Sequence, residues 1–278
     1  MKRTRTTNDV SNNSTVLTED IFYSRFVERT AHECKTEIQA KQRSNEWLEA
    51  RRYCLTASVL ALAIDDSERG DSSDLIDAKV NNKLRSKSEM QMMQWGINHE
   101  SDARVAFSVH LPSILAAEGS TDIKMLFSDF LYKSEQCPWF AGSPDDVVSY
   151  KDKNGNMKTD VIEYKCPPNT YNTLGYRYDD GTINLDHNVP RDYKAQVMSL
   201  MGYMRAYHNE WKPERSWFVV WQSNALYITH IPFDQDFYDN AMAKAQLFYR
   251  SRLLKAFVKQ YNGEEDILQH QDKAARIM

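Results

Sequence analysis

The sequence predicts a layered α/β or α+β fold built on a mixed sheet, not regular βαβ winding. Three observations carry this. Strand-like runs and helical periodicity are interleaved along the chain. A central hairpin, turning at Asn154-Gly155, lies between helical stretches. A second hairpin, SWFVVWQ and ALYITHIPF, turns across Ser223-Asn224 and leads into another helix.

The elements follow in order. The start, MKRTRTTNDVSNNST, is polar, and residues 1–17 read as a disordered tail. Thr18 or Asp20 caps a helix with Phe22, Phe26 and Val27 as its apolar positions. SNEWLEARR, residues 44–52, reads as a second helix, and Thr56 as the cap of a third over ASVLALAI. DDSERGDSSD, residues 65–74, is an exposed loop by composition. Helix follows from about 74 to 110, in one or two pieces, and its second half sets Ile97, Ala103 and Phe107 on one face. Residues 121–133 alternate weakly, as a strand does. WFAGSPDDVVSY and TDVIEYKC are the strands of the central hairpin, and 169–190 is a long polar, Tyr-rich loop. RDYKAQVMSLMGYMRAYH has apolar residues at 193, 197, 200, 204 and 207, a helical spacing. A C-terminal helix, about 236–260, places Leu247, Leu254 and Phe257 on one side, and 263–278 is a polar tail. Residues 18–262 are then a single domain.

A chain of 278 residues that is 41% hydrophobic can build one large core. A net charge of -4 argues against a protein that coats DNA, while leaving room for a local basic groove. Aromatic residues, at 12%, suit base stacking as well as packing. Cys34, Cys54, Cys137 and Cys166 form no CxxC pair and no zinc spacing, so they read as reduced thiols. No secretory segment and no apolar run of about eighteen residues occurs, which predicts a soluble intracellular protein with no membrane contact.

The chemistry lies in the hairpin. In VIEYKCPP, residues 161–168, Glu163 and Lys165 share one face of a strand and Ile162 and Tyr164 the other. Asp145, in SPDD, lies across the turn. A two- or four-residue loop centred on Asn154-Gly155 pairs 145 with 164, on the wrong face. A three-residue loop or a bulge pairs 145 with 165, bringing two carboxylates and an ammonium together, and this odd register is the expectation. Asp146 then points away from Asp145. Two carboxylates with carbonyls and waters form a hard-oxygen site for magnesium or manganese, fit to bind a scissile phosphate. Taken alone, the D-x17-E-x-K pattern is equally that of a surface salt-bridge cluster.

The surroundings separate those readings. WLEARRYCLTAS (47–58), QWGINHESDARVAF (94–107), AGSPDDVV (141–148), VIEYKCP (161–167) and YKAQVMSLMGYM (193–204) follow in order. Together the blocks resemble the lambda-exonuclease, or YqaJ-type viral recombinase, branch of the PD-(D/E)xK nucleases. The resemblance implies a restriction-endonuclease-like core: α/β, with a mixed central sheet flanked by helices. It implies that Asp145, Glu163, Glu100 and the Tyr164 backbone carbonyl hold the metal. Lys165 is then the catalytic lysine, and Gln196 orients it or the attacking water. Arg51, Ser58 and Ser143 then bind a terminal 5′-phosphate. The implied activity is 5′ to 3′ degradation of one strand at the ends of linear duplex DNA, with Mg2+ or Mn2+ as cofactor. A 3′ overhang would be left for a single-strand annealing protein, and the enzyme would be a homotrimer or a monomer. A related endonuclease acting on DNA or RNA, and a non-catalytic nucleic-acid-binding protein on the same fold, are the alternatives. The sequence departs from the family pattern at Asp146, where a Gly commonly follows the acid. No cysteine lies beyond Cys166, which rules out the iron–sulfur variants of the superfamily.

Overall fold

The structure, a computed structural model, describes residues 16–34, 36–38, 42–80, 86–127, 131–168, 189–208, 210–223 and 225–263. Of the polar ends expected at 1–17 and 263–278, residues 1–15 and 264–278 lie outside these residues, as do 169–188 of the loop expected at 169–190.

Thr18 caps the first helix, α1 (Glu19–Tyr23), by accepting from the Ile21 N–H at 3.4 Å. The helix runs on through a π turn, Ser24–Glu28, into α2 (Arg29–Cys34). Leu17, expected in the tail, is buried, and the Asn262 side chain bonds both its N–H and its carbonyl. After β1 (Thr36–Ile38), Ser44 caps α3 (Asn45–Ala50), accepting from Trp47 N–H at 3.2 Å. Then come β2 (Leu55–Thr56), a 3₁₀ turn (Ala57–Val59) and α4 (Leu60–Ala63). Thr56 does not cap with its side chain; its hydroxyl accepts from Arg51.

The last three residues of the loop expected at 65–74 are helical. Asp71 and Asp74 form a capping box that starts α5 (Ser72–Lys79). Asp-Ser-Ser-Asp is turn-like by composition, yet the same side chains satisfy the first helical N–H groups. A second capping box, Ser86 with Glu89, starts α6 (Lys87–Ala117). Ala103, Phe107, Leu111 and Leu115 form its buried stripe, while Ile97 is only half-buried.

The remaining strands are β3 (Thr121–Phe127), β4 (Leu131–Ser134), β5 (Cys137–Gly142), β6 (Asp146–Lys151) and β7 (Met157–Lys165). After α7 (Arg191–Tyr207) come β8 (Arg215–Gln222), β9 (Ala225–Pro232) and α8 (Gln235–Phe248). The segments read as single strands at 121–133 and 139–150 are each divided between two sheets. The smaller sheet has the order β1-β4-β5-β2 and the larger β3-β6-β7-β8-β9. Pro144, which has no N–H to give a ladder, lies in the break between β5 and β6. In the larger sheet only β7 and β8 pair in parallel, so the sheet is mixed. Gln222 pairs with Ala225, which fixes the second hairpin where the sequence places it.

Helix α6 covers one face of the larger sheet through Val148, Ile162, Tyr164, Trp217 and Val219. Helix α7 covers the other through Val147, Val161, Phe218 and Val220. This alternation decides the site: Glu163, in register with Val161 and Lys165, faces α7. Ala195 to Met204 are all buried, because α7 is wrapped between the sheet, α4 and α8. At Gly202 an added Cβ would sit 2.1 Å from the Tyr238 ring. Gly202→Ala is therefore expected to destabilise the protein by about 1–3 kcal/mol, read as a lower denaturant midpoint.

The C-terminal helix corrects one reading. Leu247 is 70% exposed, while Phe248, Leu253, Leu254 and Phe257 are buried. A π turn at Tyr249–Leu253 inserts an extra residue and rotates the face, so a 3.6-residue count across it slips.

Asp192, in the first turn of α7, ties down the loop before α5. It accepts from Ser67 Oγ (2.7 Å), Glu68 N–H (3.1 Å) and Arg69 Nε (2.9 Å). Burial alone would raise its carboxyl, but these donors prevail and hold it below the usual range. Its contribution is thus complete above the unfolded value near 3.9 and lost as pH falls through the lower folded value. Asp192→Asn should remove about 1–2 kcal/mol at neutral pH. It should also flatten the acid limb of a stability–pH curve measured in denaturant.

Candidate active site

The hairpin that carries the site has an odd loop. Five residues, 152–156, separate Lys151 from its partner Met157, and Asp146 pairs with Ile162. Asp152 Oδ1 accepts from Asn154 and Asn156 N–H, and Gly155 takes φ +81. The face parity is the one expected, but the register differs by two residues: Asp145 comes opposite Glu163, not Lys165. Asp145 sits just ahead of β6, and its Oδ2 accepts from the Tyr164 N–H at 2.8 Å. Asp146 turns to the α6 side, fully buried, where Arg104 Nε donates to its Oδ2 at 2.7 Å.

On the α7 side four predicted residues meet. Glu163 Oε1 accepts from Gln196 Nε2 at 2.6 Å and from the Lys165 ammonium. Lys165 also donates to Gln196 Oε1 at 3.4 Å and lies 4.8 Å from the centre of the Tyr193 ring. Gln196 is 8% exposed, so a solvent-facing helix residue is excluded. Burial and the neighbouring charge of Glu163 drive the Asp145 carboxyl well above the usual range. For Lys165 burial works downward, but Glu163 and Asp145 outweigh it and hold the ammonium charged.

Glu100, on α6, acts on Asp145 electrostatically and is held by Arg43 at 2.9 Å. Arg43 itself has a positive φ of 70, sparsely populated for a side chain of this size.

The second predicted set lies in the same hollow. A cavity of about 210 Å³ is lined by Arg51, Ser58 and Ser143, and also by Asp145 and Gln196. Gln42, Arg43, Trp47 and Thr56 complete much of its wall. Arg51 lies over the Trp47 ring, 3.9 Å from its centre, and donates to Thr56 Oγ1 at 3.3 Å. Gln42 Nε2 donates to Ser143 Oγ at 3.0 Å. A larger cavity, about 580 Å³, lies by β9 and the start of α8, away from these residues.

Gln42, Arg43 and Tyr193 belong to the site and were not singled out from the sequence. Trp47 was not singled out either, although its place four residues before Arg51 was a signal that could have found it.

The donor set fits a hard divalent cation. Glu163 Oε2 is buried and has no hydrogen-bond partner, and the half-buried Asp145 carboxyl beside it is uncompensated enough to be pushed up. Both observations describe oxygens waiting for a positive charge. Among the described residues no three acidic, His or Cys groups already form a closed ligand shell, in keeping with Glu100 being turned to Arg43. No helix among the described residues is long and apolar enough to cross a membrane.

A five-stranded mixed sheet between helices, with these side chains at the edge of its central hairpin, is a restriction-endonuclease-like fold of the lambda-exonuclease type. The chain belongs to the YqaJ-like viral recombinase family, whose model matches residues 46–203, more than half of its length. No curated protein matches it by sequence. Among solved structures it resembles LHK-Exo, an alkaline exonuclease from Laribacter hongkongensis, in complex with dAMP. That likeness has TM-score 0.54 and 21% identity, covering 81% of this chain and all of the other. It also resembles the shutoff and exonuclease protein of Kaposi's sarcoma-associated herpesvirus, with TM-score 0.50 and 12% identity, covering 84% of this chain and 75% of that one.

Proposed function

We propose that the protein is a divalent-metal-dependent nuclease that degrades one strand of linear duplex DNA from its 5′ end. One observation carries this: a single cavity is lined both by Arg51, Ser58 and Ser143 and by Asp145 and Gln196. An anchor for a terminal phosphate beside a hydrolytic acid pair sets both the polarity and the step. The relatives support the reading, since LHK-Exo is described as an alkaline exonuclease and was captured with a nucleotide.

In this reading Asp145, Glu163, Glu100 and the Tyr164 carbonyl hold magnesium or manganese. The cation supplies Lewis-acid activation of the phosphodiester and of a water. Arg51, fixed flat on Trp47, presents its fork to phosphate oxygens, and Ser58 and Ser143 donate hydroxyls. Lys165 keeps a permanent positive charge beside the reacting phosphate, and Gln196 fixes its direction. Glu100 has to leave Arg43 to reach a cation, which frees that guanidinium for the DNA backbone. The 3′ overhang left behind is the substrate of a single-strand annealing protein.

An end-labelled linear duplex, with and without 5′-phosphate, in magnesium, tests the reading. A product ladder from one end, faster on the phosphorylated duplex, is expected. Arg51→Ala should abolish that preference. Discrete internal products with no phosphate preference would make the protein an endonuclease instead.

A further inference from the structure

Three cations gather on the short segment that joins α3 to β2. Arg51 is at the end of α3, over Trp47. The backbone on either side of it is held by a lysine: Lys133 Nζ donates to the Ala50 carbonyl at 3.2 Å, and Lys79 Nζ to the Cys54 carbonyl at 2.9 Å. Lys133 is 1% exposed. Among the described residues none of the three cations has a carboxylate partner, and no ion pair links them to Asp145 in the shared cavity. Lys133 is buried and Arg51 and Lys79 are half-buried; like charges gathered without a counterion are costly, and an anion that arrives from outside relieves the cost.

We propose that Lys79 is a positioning residue of the phosphate cavity, holding the Arg51 segment and adding the charge that favours a terminal phosphomonoester over a diester. This rests on the reading of that cavity as a 5′-phosphate site and adds a residue to it. A terminal phosphate carries close to two negative charges at neutral pH and a diester carries one. Arg51 alone balances a diester. Lys79 does not line the cavity; held on the Cys54 carbonyl and close enough to Arg51 to feel its charge, it balances the second charge of the monoester at a distance.

The charge of Lys79 is also conditional. Burial first, and the Arg51 charge second, push its ammonium down to about 8. The groups that face it are Arg51 and the Cys54 thiol, and α4, packed against α5, has no titratable residue. With a lowered pKa the positive charge is present below about 8 and lost above it, so preference for the monoester should fade as pH rises.

Binding rather than cleavage reads this without the metal step. Short duplexes ending in 5′-phosphate, 5′-phosphate methyl ester or 5′-hydroxyl are titrated in calcium at about pH 7 and about pH 9.5. Wild type, Lys79→Met and Lys79→Arg are compared, with thermal midpoints alongside. Wild type should prefer the monoester over its methyl ester on the order of tenfold at the lower pH and lose most of this at the higher one. Lys79→Arg, charged throughout, should keep the preference at both. Lys79→Met should show little at either. A Lys79→Arg protein whose preference still fades like the wild type overturns the proposal, as does a Lys79→Met protein with unchanged preference. A wild type that ignores the 5′-phosphate altogether overturns instead the 5′-phosphate site on which this rests.

Discussion

Glu163→Gln is expected to abolish cleavage while leaving the thermal midpoint unchanged or higher. The carboxylate is 2% exposed, with one oxygen shared by Lys165 and Gln196 and the other without a partner. An amide keeps the shape and can still accept at its oxygen. It removes one of two adjacent negative charges and puts an uncharged NH2 where the unpartnered oxygen stood. Stability therefore has little to lose. In the proposed mechanism activity loses a cation ligand, which should lower the single-turnover rate by at least about a thousandfold. Asp145→Asn should behave alike, because its upward-driven carboxyl reports the same repulsion. Normal urea midpoints with no turnover are the expected pair of results. A folded Glu163→Gln variant with near wild-type rates would refute the role.

Lys165→Met should lose activity to a similar degree, but here stability falls as well. The ammonium is the cation nearest Glu163 and raises a second bond to Gln196. Removing it strands a buried carboxylate, a change that costs about 3–5 kcal/mol when a buried pair is broken from one side. The double variant Lys165→Met, Glu163→Gln should recover much of that loss without recovering cleavage. Urea unfolding of the two single variants and the double variant gives the coupling directly, and additive losses would contradict the pairing.

Much of this arrangement is written locally in the chain. Glu163 and Lys165 share a face because strand side chains alternate, and Gln196 sits on a helix whose periodicity is plain. The sequence could not set how far the hairpin was offset. Asn154-Gly155 announces a turn, but Asp152 recruits both Asn154 and Asn156 and widens it to five residues, moving Asp145 from Lys165 to Glu163. Face parity survives such a shift because it is of two residues. The division of 139–150 between two sheets was signalled only by Pro144. The outward turn of Leu247 was not signalled at all, since a π turn leaves no composition mark.

The proposed phosphate side was legible in part. Arg51 reads as a fork for phosphate; the structure adds that it lies over Trp47 and in the hollow that also reaches Asp145. Arg43 and Lys79 were invisible, because each meets its partner across a long separation: Arg43 reaches Glu100, and Lys79 reaches Cys54. A single chain records no such pairing until it is folded.

Manganese titration of the intact protein without DNA, followed by calorimetry or by loss of the free-ion paramagnetic signal, tests the proposed metal site most directly. Wild type should bind the ion, and Asp145→Asn and Glu163→Gln should each weaken that binding at least about tenfold while staying folded. Equal binding by all three proteins would mean that these carboxylates do not hold the cation.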